Sequence, residues 1–405
     1  MRQIYESYGK YADETLQRGP NARAMMYREI ARTGLAAFEP GAKVVWTTSY
    51  DLPMVLYWPF GVVPFNFEYG GLFLAAGGRA AEALAASNNL GYPVDSCSIH
   101  RMTMGAEELG FFPHADLLIS TTHFCDGKTK CNEVFREKYG VPFHLIDTPL
   151  GEDEGALDYV EGQLRKVFDA LCELTGRQYD ESILKEPVGN YNRVLTLMEE
   201  VNTLRKQKPA PYLSGNRGFS MTMVGNMLYG RPELVSVYEQ YVKELIAAPR
   251  EGGPDGGERF RLLWLGGNPT YPNNLFETFR EFGARIVAEV LTFDMMYPLS
   301  EEKPLRSISE WMLNSRFRRS VRELIDAILK RVAEFQIDAV VSFSHLPCRT
   351  ANTALYLIKE RLNAKGIVFM DLEADLCDVT TFSPDKTRTA IENYIQMMST
   401  SRDPS

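Results

Sequence analysis

Polar positions dominate the first 40 residues, and the apolar Met25, Met26, Ile30 and Ala31 recur at helical spacing, which predicts a helical opening segment with one buried stripe. The pattern then changes. Lys43-Val44-Val45-Trp46-Thr47 is a short apolar, β-branched run and reads as a strand. The next stretch, LPMVLYWPFGVVPFNFEYGG, combines a short helix with extended chain broken by Pro59, Gly61 and Pro64. Gly77 to Asn88 is alanine-rich and helical. Ala115 to Ser120 and Val141 to Asp147 are strand-like, with a helical pattern from Asn132 to Tyr139 between them. Strand, helix, strand is the signature of a parallel sheet.

From Leu157 to about Ala248 the pattern has helical periods and no convincing strands. APREGGPDGGER, around Pro249 to Glu258, cannot continue a helix and reads as a linker. Strand patterns return at Arg261 to Leu265, Arg285 to Val290 and Ile337 to Phe343. The expected organisation is a helical segment over 1–40, an α/β lobe over 41–150, a helical region over 151–250 and a second α/β lobe over 256–405. The fold class is α/β, with two flavodoxin- or Rossmann-like parallel-sheet lobes and the helical region between them.

One unit is written twice. ADLLISTTHFC, ending at Cys125, and IDAVVSFSHLPC, ending at Cys348, share an aspartate, a strand with serine in its fourth position, and a loop carrying histidine and then cysteine. Each cysteine is followed by a helical segment and another apolar strand that ends in an aspartate, Asp147 or Asp371. Open parallel sheets present ligands at the carboxyl ends of their strands. The repeat therefore puts Cys125 and Cys348 where a ligand is expected.

Composition narrows the class. At 405 residues the chain exceeds the size of a single core, and its 45% hydrophobic and 24% charged residues are those of a folded globular protein. A net charge of −9 argues against general attraction to nucleic acid. The basic run Arg316-Phe317-Arg318-Arg319 reads as a solvated helix start. No apolar stretch is long enough to span a bilayer, and Met1-Arg2-Gln3-Ile4-Tyr5-Glu6 lacks the apolar core of a signal peptide, so a cytoplasmic protein is expected.

The six cysteines, Cys97, Cys125, Cys131, Cys172, Cys348 and Cys377, are too few and scattered for a disulfide framework. Cys97, in GYPVDSCSIHR, follows a proline-containing loop and enters a helix for which Asp95 or Ser96 can serve as N-cap. Helix N-termini and nearby cations favour thiolate, and Lys128 and Lys130 beside Cys125 and Arg349 beside Cys348 supply the cations. Three thiolates from distant loops suggest a metal centre with one position not filled by protein. Structural zinc usually takes four ligands with a closely spaced pair, which is absent here. A cubane iron–sulfur cluster usually takes four cysteines, so three leave one iron open. Cys131 and Cys172 read as packing thiols, Cys377 as part of a surface turn. LGGNPTYPNN lacks G-x-G-x-x-G and is not a nucleotide loop.

Taken together, WTTS at 46–49, the Pro64 to Glu68 spacing, DSCSIHR, TTHFCDGKTK with VPFHLIDTP, SFSHLPCRT and the tail DLEADLCDVTTFSPDKTRTAIENYIQMM resemble the 2-hydroxyacyl-CoA dehydratase and benzoyl-CoA reductase family. The likeness runs from about residue 40 to the end, and is to the substrate-bearing subunit of the 2-hydroxyglutaryl-CoA dehydratase D-component type. It implies two α/β lobes with a cluster in the cleft between them. It also implies a second related iron–sulfur subunit, or a second copy of this chain, and an ATP-hydrolysing iron–sulfur activator that injects one low-potential electron. In the dehydratases the acyl-CoA thioester becomes a ketyl radical, loses its β-proton and α-hydroxyl, and returns the electron.

On this chain the resemblance implies that Cys97, Cys125 and Cys348 ligate a 4Fe-4S cluster with one open iron, and that Ser49 and Glu68 line the site. The stretch between Ser49 and Glu68 is one residue longer than the dehydratase pattern. From the residues themselves, Glu68 among Phe65, Phe67 and Tyr69 fits either a proton-shuttling carboxyl with a raised pKa or a rim carboxylate bonded to backbone. Ser49 either donates to a substrate oxygen or caps a turn. His100, His123 and His345 either tune ligand sulfurs or sit as satisfied loop histidines. Benzoyl-CoA reductase chemistry, a homodimeric double-cubane reductase and a non-catalytic electron relay are the alternative readings. The double-cubane branch carries extra cysteines between the middle and last ligands, whereas here none falls between Cys172 and Cys348.

Overall fold

The computed structural model describes residues 1–48, 52–150, 153–250, 257–290, 293, 296–315 and 320–402. Ser49, most of the glycine-rich linker and the basic run at 316–319 lie outside these residues. The chain forms two compact units. One comprises Met1–Leu197, Val224–Tyr241 and Met296–Arg318; the other comprises Met198–Met223, Val242–Met295 and Arg319–Ser405. Each contains one four-stranded, wholly parallel sheet, as the alternation of strand and helix patterns predicts.

The first unit opens with helices α1 (Arg2–Leu16) and α2 (Ala22–Ala36). Met26, Ile30 and Ala31 of the expected stripe are buried. Strand β1 (Val44–Thr47) is followed by β2 (Val63–Asn66), and then by α3 (Phe67–Ala76), α4 (Ala80–Asn89) and α5 (Ser98–Glu108). Next come β3 (Leu117–Thr121), α6 (Asp126–Tyr139) and β4 (Phe143–Ile146). The strand order is β2-β1-β3-β4. Pro64 is tolerated because β2 is an edge strand, where a missing N–H costs no ladder bond.

Two boundaries differ from the sequence pattern. The helix α3 was hidden by Gly70, Gly71 and an aromatic run, although its cap is conventional: Asn66 Oδ1 accepts the Tyr69 N–H at 3.0 Å. Helix α6 begins directly after Cys125, so the Asp126-Gly127 pair is its first turn, and Cys131 shares the helix. One hub joins these elements. The Trp46 ring lies 5.8 Å from Phe65, 6.0 Å from Phe67 and 5.1 Å from Phe135, linking β1 to β2, α3 and α6.

The described residues between 153 and 250 form helices and no strands: α7 (Glu154–Thr175), α8 (Lys185–Lys206), α9 (Arg217–Gly225) and α10 (Pro232–Ala247). The second sheet then follows, with β5 (Phe260–Gly266), α11 (Leu275–Glu281), β6 (Ala284–Glu289), α12 (Pro304–Leu313), α13 (Val321–Phe335) and β7 (Ala339–His345). The chain ends with α14 (Arg349–Asn352), α15 (Leu355–Asn363), β8 (Val368–Ala374) and α16 (Pro384–Arg402). The order β6-β5-β7-β8 repeats that of the first sheet. Strand residues alternate between two cores. Phe260, Leu262 and Trp264 face α11 and α16, while Leu263 and Leu265 face α13 and α15.

The internal repeat is physical. Asp116 Oδ2 accepts the Val44 N–H at 2.7 Å, and its own N–H donates to Val44 O at 2.8 Å. Asp338 does the same in the second sheet, accepting the Arg261 N–H at 2.7 Å and donating to Arg261 O at 2.9 Å. Downstream, Thr122 Oγ1 donates to Asp147 at 3.0 Å, and Ser344 Oγ to Asp371 at 2.5 Å. Asp147 follows β4, as expected, but Asp371 falls within β8, because that strand runs three residues further.

Removing either aspartate leaves a strand-start amide without its acceptor. Asp116→Ala and Asp338→Ala are each predicted to cost about 1–3 kcal/mol, measured by chemical denaturation. Unfolding curves unchanged by both substitutions would contradict the shared role.

Candidate functional site

In each sheet the chain leaves its first strand to one side and returns on the other, so the switch points lie between β1 and β3 and between β5 and β7. The chain after β3 carries Cys125, and the chain after β7 carries Cys348. The residue after β1, Thr48, is buried. Ser49, the next, is outside the described residues.

Cys97, Cys125 and Cys348 share one local setting. Each is the N-cap residue of the helix that follows it, α5, α6 and α14 respectively, and in none does the sulfur cap its own helix. All three are half-buried, whereas Cys131, Cys172 and Cys377 are buried. Asp95 and Ser96 were expected to cap α5. Ser96 instead donates its hydroxyl to Pro93 O at 2.7 Å, which leaves the cap position to Cys97 itself. Cys377 is not at the surface. Its N–H donates to Asp375 Oδ1 at 2.8 Å, and the Tyr271 hydroxyl bonds Asp375 O, folding the turn inward.

Glu68 lies in the first turn of α3 and is buried, at 4% exposure. Its Oε1 is 3.5 Å from Nε2 of His100, which lies in the first turn of α5. His100 also interacts with Cys125. Burial opposes charge on this imidazole, but the bonds and charges of Cys125 and Glu68 outweigh it and raise its pKa from the ordinary histidine value to about 10.

This overturns the expected source of positive charge. Lys128 is fully buried, with its Nζ 3.4 Å from Thr121 Oγ1 and over the Phe124 ring, and burial drives its pKa well down. Lys130 is exposed and pairs with Glu133 at 2.8 Å. The basic side chain that interacts with Cys125 is His100. The other two histidines near candidate cysteines have different partners: His123 Nδ1 lies 2.7 Å from Thr121 Oγ1, and His345 Nδ1 accepts the Leu376 N–H at 3.1 Å.

Three further residues matter that local pattern did not single out. Arg101 donates to Val94 O and to Asn88 Oδ1, both at 2.9 Å, and so ties down the loop that carries Cys97. Gly105 lets α5 lie against α4, since a Cβ there would collide with the Ala83 carbonyl. Gly127 faces the His100 ring. Cys131 sits close enough for the charges of Glu68, Cys97 and Cys125 to act on it, and burial first, then those charges, push its thiol pKa up.

Among the described residues, no three His, Cys, Asp or Glu side chains gather into a ready-made metal-binding group. Cys97 and Cys125 belong to the first unit and Cys348 to the second. The donor chemistry nevertheless suits a thiolate-ligated iron–sulfur group: three half-buried sulfurs, each at a helix N-cap. No helix among the described residues is long and apolar enough to cross a membrane.

Comparison with known proteins gives a family. The family described as 2-hydroxyglutaryl-CoA dehydratase, D-component, matches residues 49–398. The (R)-phenyllactyl-CoA dehydratase alpha subunit of Clostridium sporogenes is 23% identical over 380 residues, covering 90% of this chain and 91% of the relative. Lactoyl-CoA dehydratase subunit alpha of Anaerotignum propionicum is 21% identical over 391 residues, covering 88% and 91%. The (R)-2-hydroxyglutaryl-CoA dehydratase subunit alpha of Acidaminococcus fermentans is 27% identical over 186 residues, covering 44% and 39%.

In folded, metal-free protein, Cys97, Cys125 and Cys348 are predicted to react rapidly with a thiol reagent, and the three buried thiols only after denaturation. Mass spectrometry of the labelled peptides checks this. Rapid labelling of Cys131 or Cys377 would contradict it.

Proposed function

Because the chain belongs to the 2-hydroxyglutaryl-CoA dehydratase D-component family, we propose that it is the alpha-type subunit of a 2-hydroxyacyl-CoA dehydratase, a lyase acting on an acyl-CoA thioester. Its relatives are named as alpha subunits of dehydratases for phenyllactyl-, lactoyl- and 2-hydroxyglutaryl-CoA. The single observation that carries the reading is that Cys97, Cys125 and Cys348 alone among the six cysteines are half-buried, each at a helix N-cap.

In this proposal the three cysteines hold a 4Fe-4S cluster. When bound, such a cluster supplies one-electron chemistry and an iron position open to a substrate oxygen. The protein's own part is acid–base and positional. Glu68, buried beside His100, takes the β-proton of the thioester at a carboxylate oxygen and returns it to the departing α-hydroxyl, so that water is lost and a 2-enoyl thioester remains. Ser49 donates a hydrogen bond to a substrate oxygen. The thioester passes through a ketyl radical; its electron comes from a separate ATP-hydrolysing iron–sulfur activator and is recovered at the end, so the net reaction is not a redox change. A second related subunit, or a second copy of this chain, completes the enzyme.

The test is anaerobic co-production with candidate partner and activator, followed by assay with ATP against 2-hydroxyacyl-CoA and aromatic thioesters. Enoyl-CoA formation is expected, and ring reduction would overturn the dehydratase assignment. Serine at position 97, 125 or 348 is predicted to lower bound iron and sulfide. Glu68→Gln is predicted to keep both while losing about 10²- to 10⁴-fold in turnover. A colourless wild-type protein without iron or sulfide after anaerobic reconstitution would overturn the cluster.

A further inference from the structure

We propose that His100 is a positioning residue which fixes Cys125 and Glu68 relative to each other, and that Gly127 supplies the space its ring occupies. The inference rests on the reading of Cys125 as a cluster ligand and adds a role for residues to which that reading gives none.

Three helices start around this ring. Glu68 lies in the first turn of α3, His100 in that of α5, and Gly127 in that of α6, directly after Cys125. Nε2 of His100 lies 3.5 Å from Glu68 Oε1, and the same ring lies against Gly127, two residues past Cys125, whose side chain also acts on it. A single flat side chain thus joins the proposed acid–base carboxylate to a proposed ligand sulfur. Cys97 is the cap of the helix that carries His100, so both are set by the seating of α5.

That seating has almost no slack on the α6 side. A Cβ built at Gly127 would stand 2.5 Å from Cε1 and 2.6 Å from Nδ1 of His100, closer than real carbon contacts. Gly127 does not have a positive φ, so its lack of side chain serves space and not backbone freedom. Alanine at an ordinary helical position is favoured over glycine. Here the clash with the ring should reverse that preference, and the reversal should depend on His100.

Hydrogen bonds to ligand sulfurs are among the features that set the reduction potential of an iron–sulfur cluster. A donor withdraws charge from the sulfur and favours the reduced state. Moving or removing the His100 ring should therefore make the potential more negative.

The test is a double-substitution cycle on the full chain with Gly127→Ala, His100→Ala and the two combined. In metal-free protein, Gly127→Ala should lower the thermal unfolding midpoint in the wild-type background, and leave it unchanged or raise it in the His100→Ala background. In reconstituted protein, each single substitution should shift the midpoint potential to more negative values, and the double variant should shift no further than His100→Ala. His100→Phe, which keeps ring bulk but cannot donate, should shift the potential while retaining the penalty for alanine at 127. Equal effects of Gly127→Ala in both backgrounds would overturn the steric claim. Coupling in stability with no change of potential would show that the ring only packs, and would overturn the positioning role. Wild-type protein that takes up no iron would instead sink the ligand assignment of Cys125, with the unfolding cycle still readable on its own.

Discussion

A parallel strand delivers its chain to the next element at one edge of the sheet, and this constraint places two of the three candidate ligands directly. In both sheets the strand following the switch of direction leads through a histidine, His123 just after β3 and His345 at the end of β7, to a cysteine where a helix starts. The aspartates at the other end of those strands, Asp116 and Asp338, bind the neighbouring strand start in the same way. Strand register, and with it the height at which Cys125 and Cys348 emerge, is set by the same bonds twice. Cys97 reaches its position differently, through the fit of α5 against α4 and through the grip of Arg101 on the loop before it.

Electrostatics around Cys125 shows how burial decides between candidate cations. Lys128 is nearer in sequence, but complete burial penalises its charge and turns it toward Thr121 and Phe124. His100 is also largely buried, yet hydrogen bonding and attraction to Cys125 and Glu68 outweigh the desolvation cost. Charge is therefore held where it is paired. The result is a carboxyl group and a sulfur that both interact with one imidazole ring.

Much of the architecture was legible because parallel sheets are written in continuous apolar runs. Trp46 and Leu117 to Ile119 are buried on both sides, and so are Trp264 and Ala339 to Val341. The repeat could be read because Asp116 and Asp338, and Thr122 and Ser344, do the same work in each copy. Cys125 and Cys348 stood out because each sits just past such a run. What escaped was determined by tertiary contact: α3, whose glycines and aromatics break the helical pattern but pack against neighbouring elements; Cys377, drawn inward by Asp375; and Gly127, whose reason lies 27 residues away in His100. No local spacing encodes these. The lysines of CDGKTK misled for the same reason, since a charge beside a cysteine in sequence need not face it.

The chain belongs to the 2-hydroxyglutaryl-CoA dehydratase D-component family, and the proposed function depends on three sulfurs sharing one iron–sulfur group. The most direct measurement is a crystal structure of the anaerobically purified, reconstituted protein. It is predicted to place the Sγ atoms of Cys97, Cys125 and Cys348 on a single cluster, with one iron not bound by a cysteine. A cluster bound through Cys131 in place of any of these three, or one with four cysteine ligands, would contradict it.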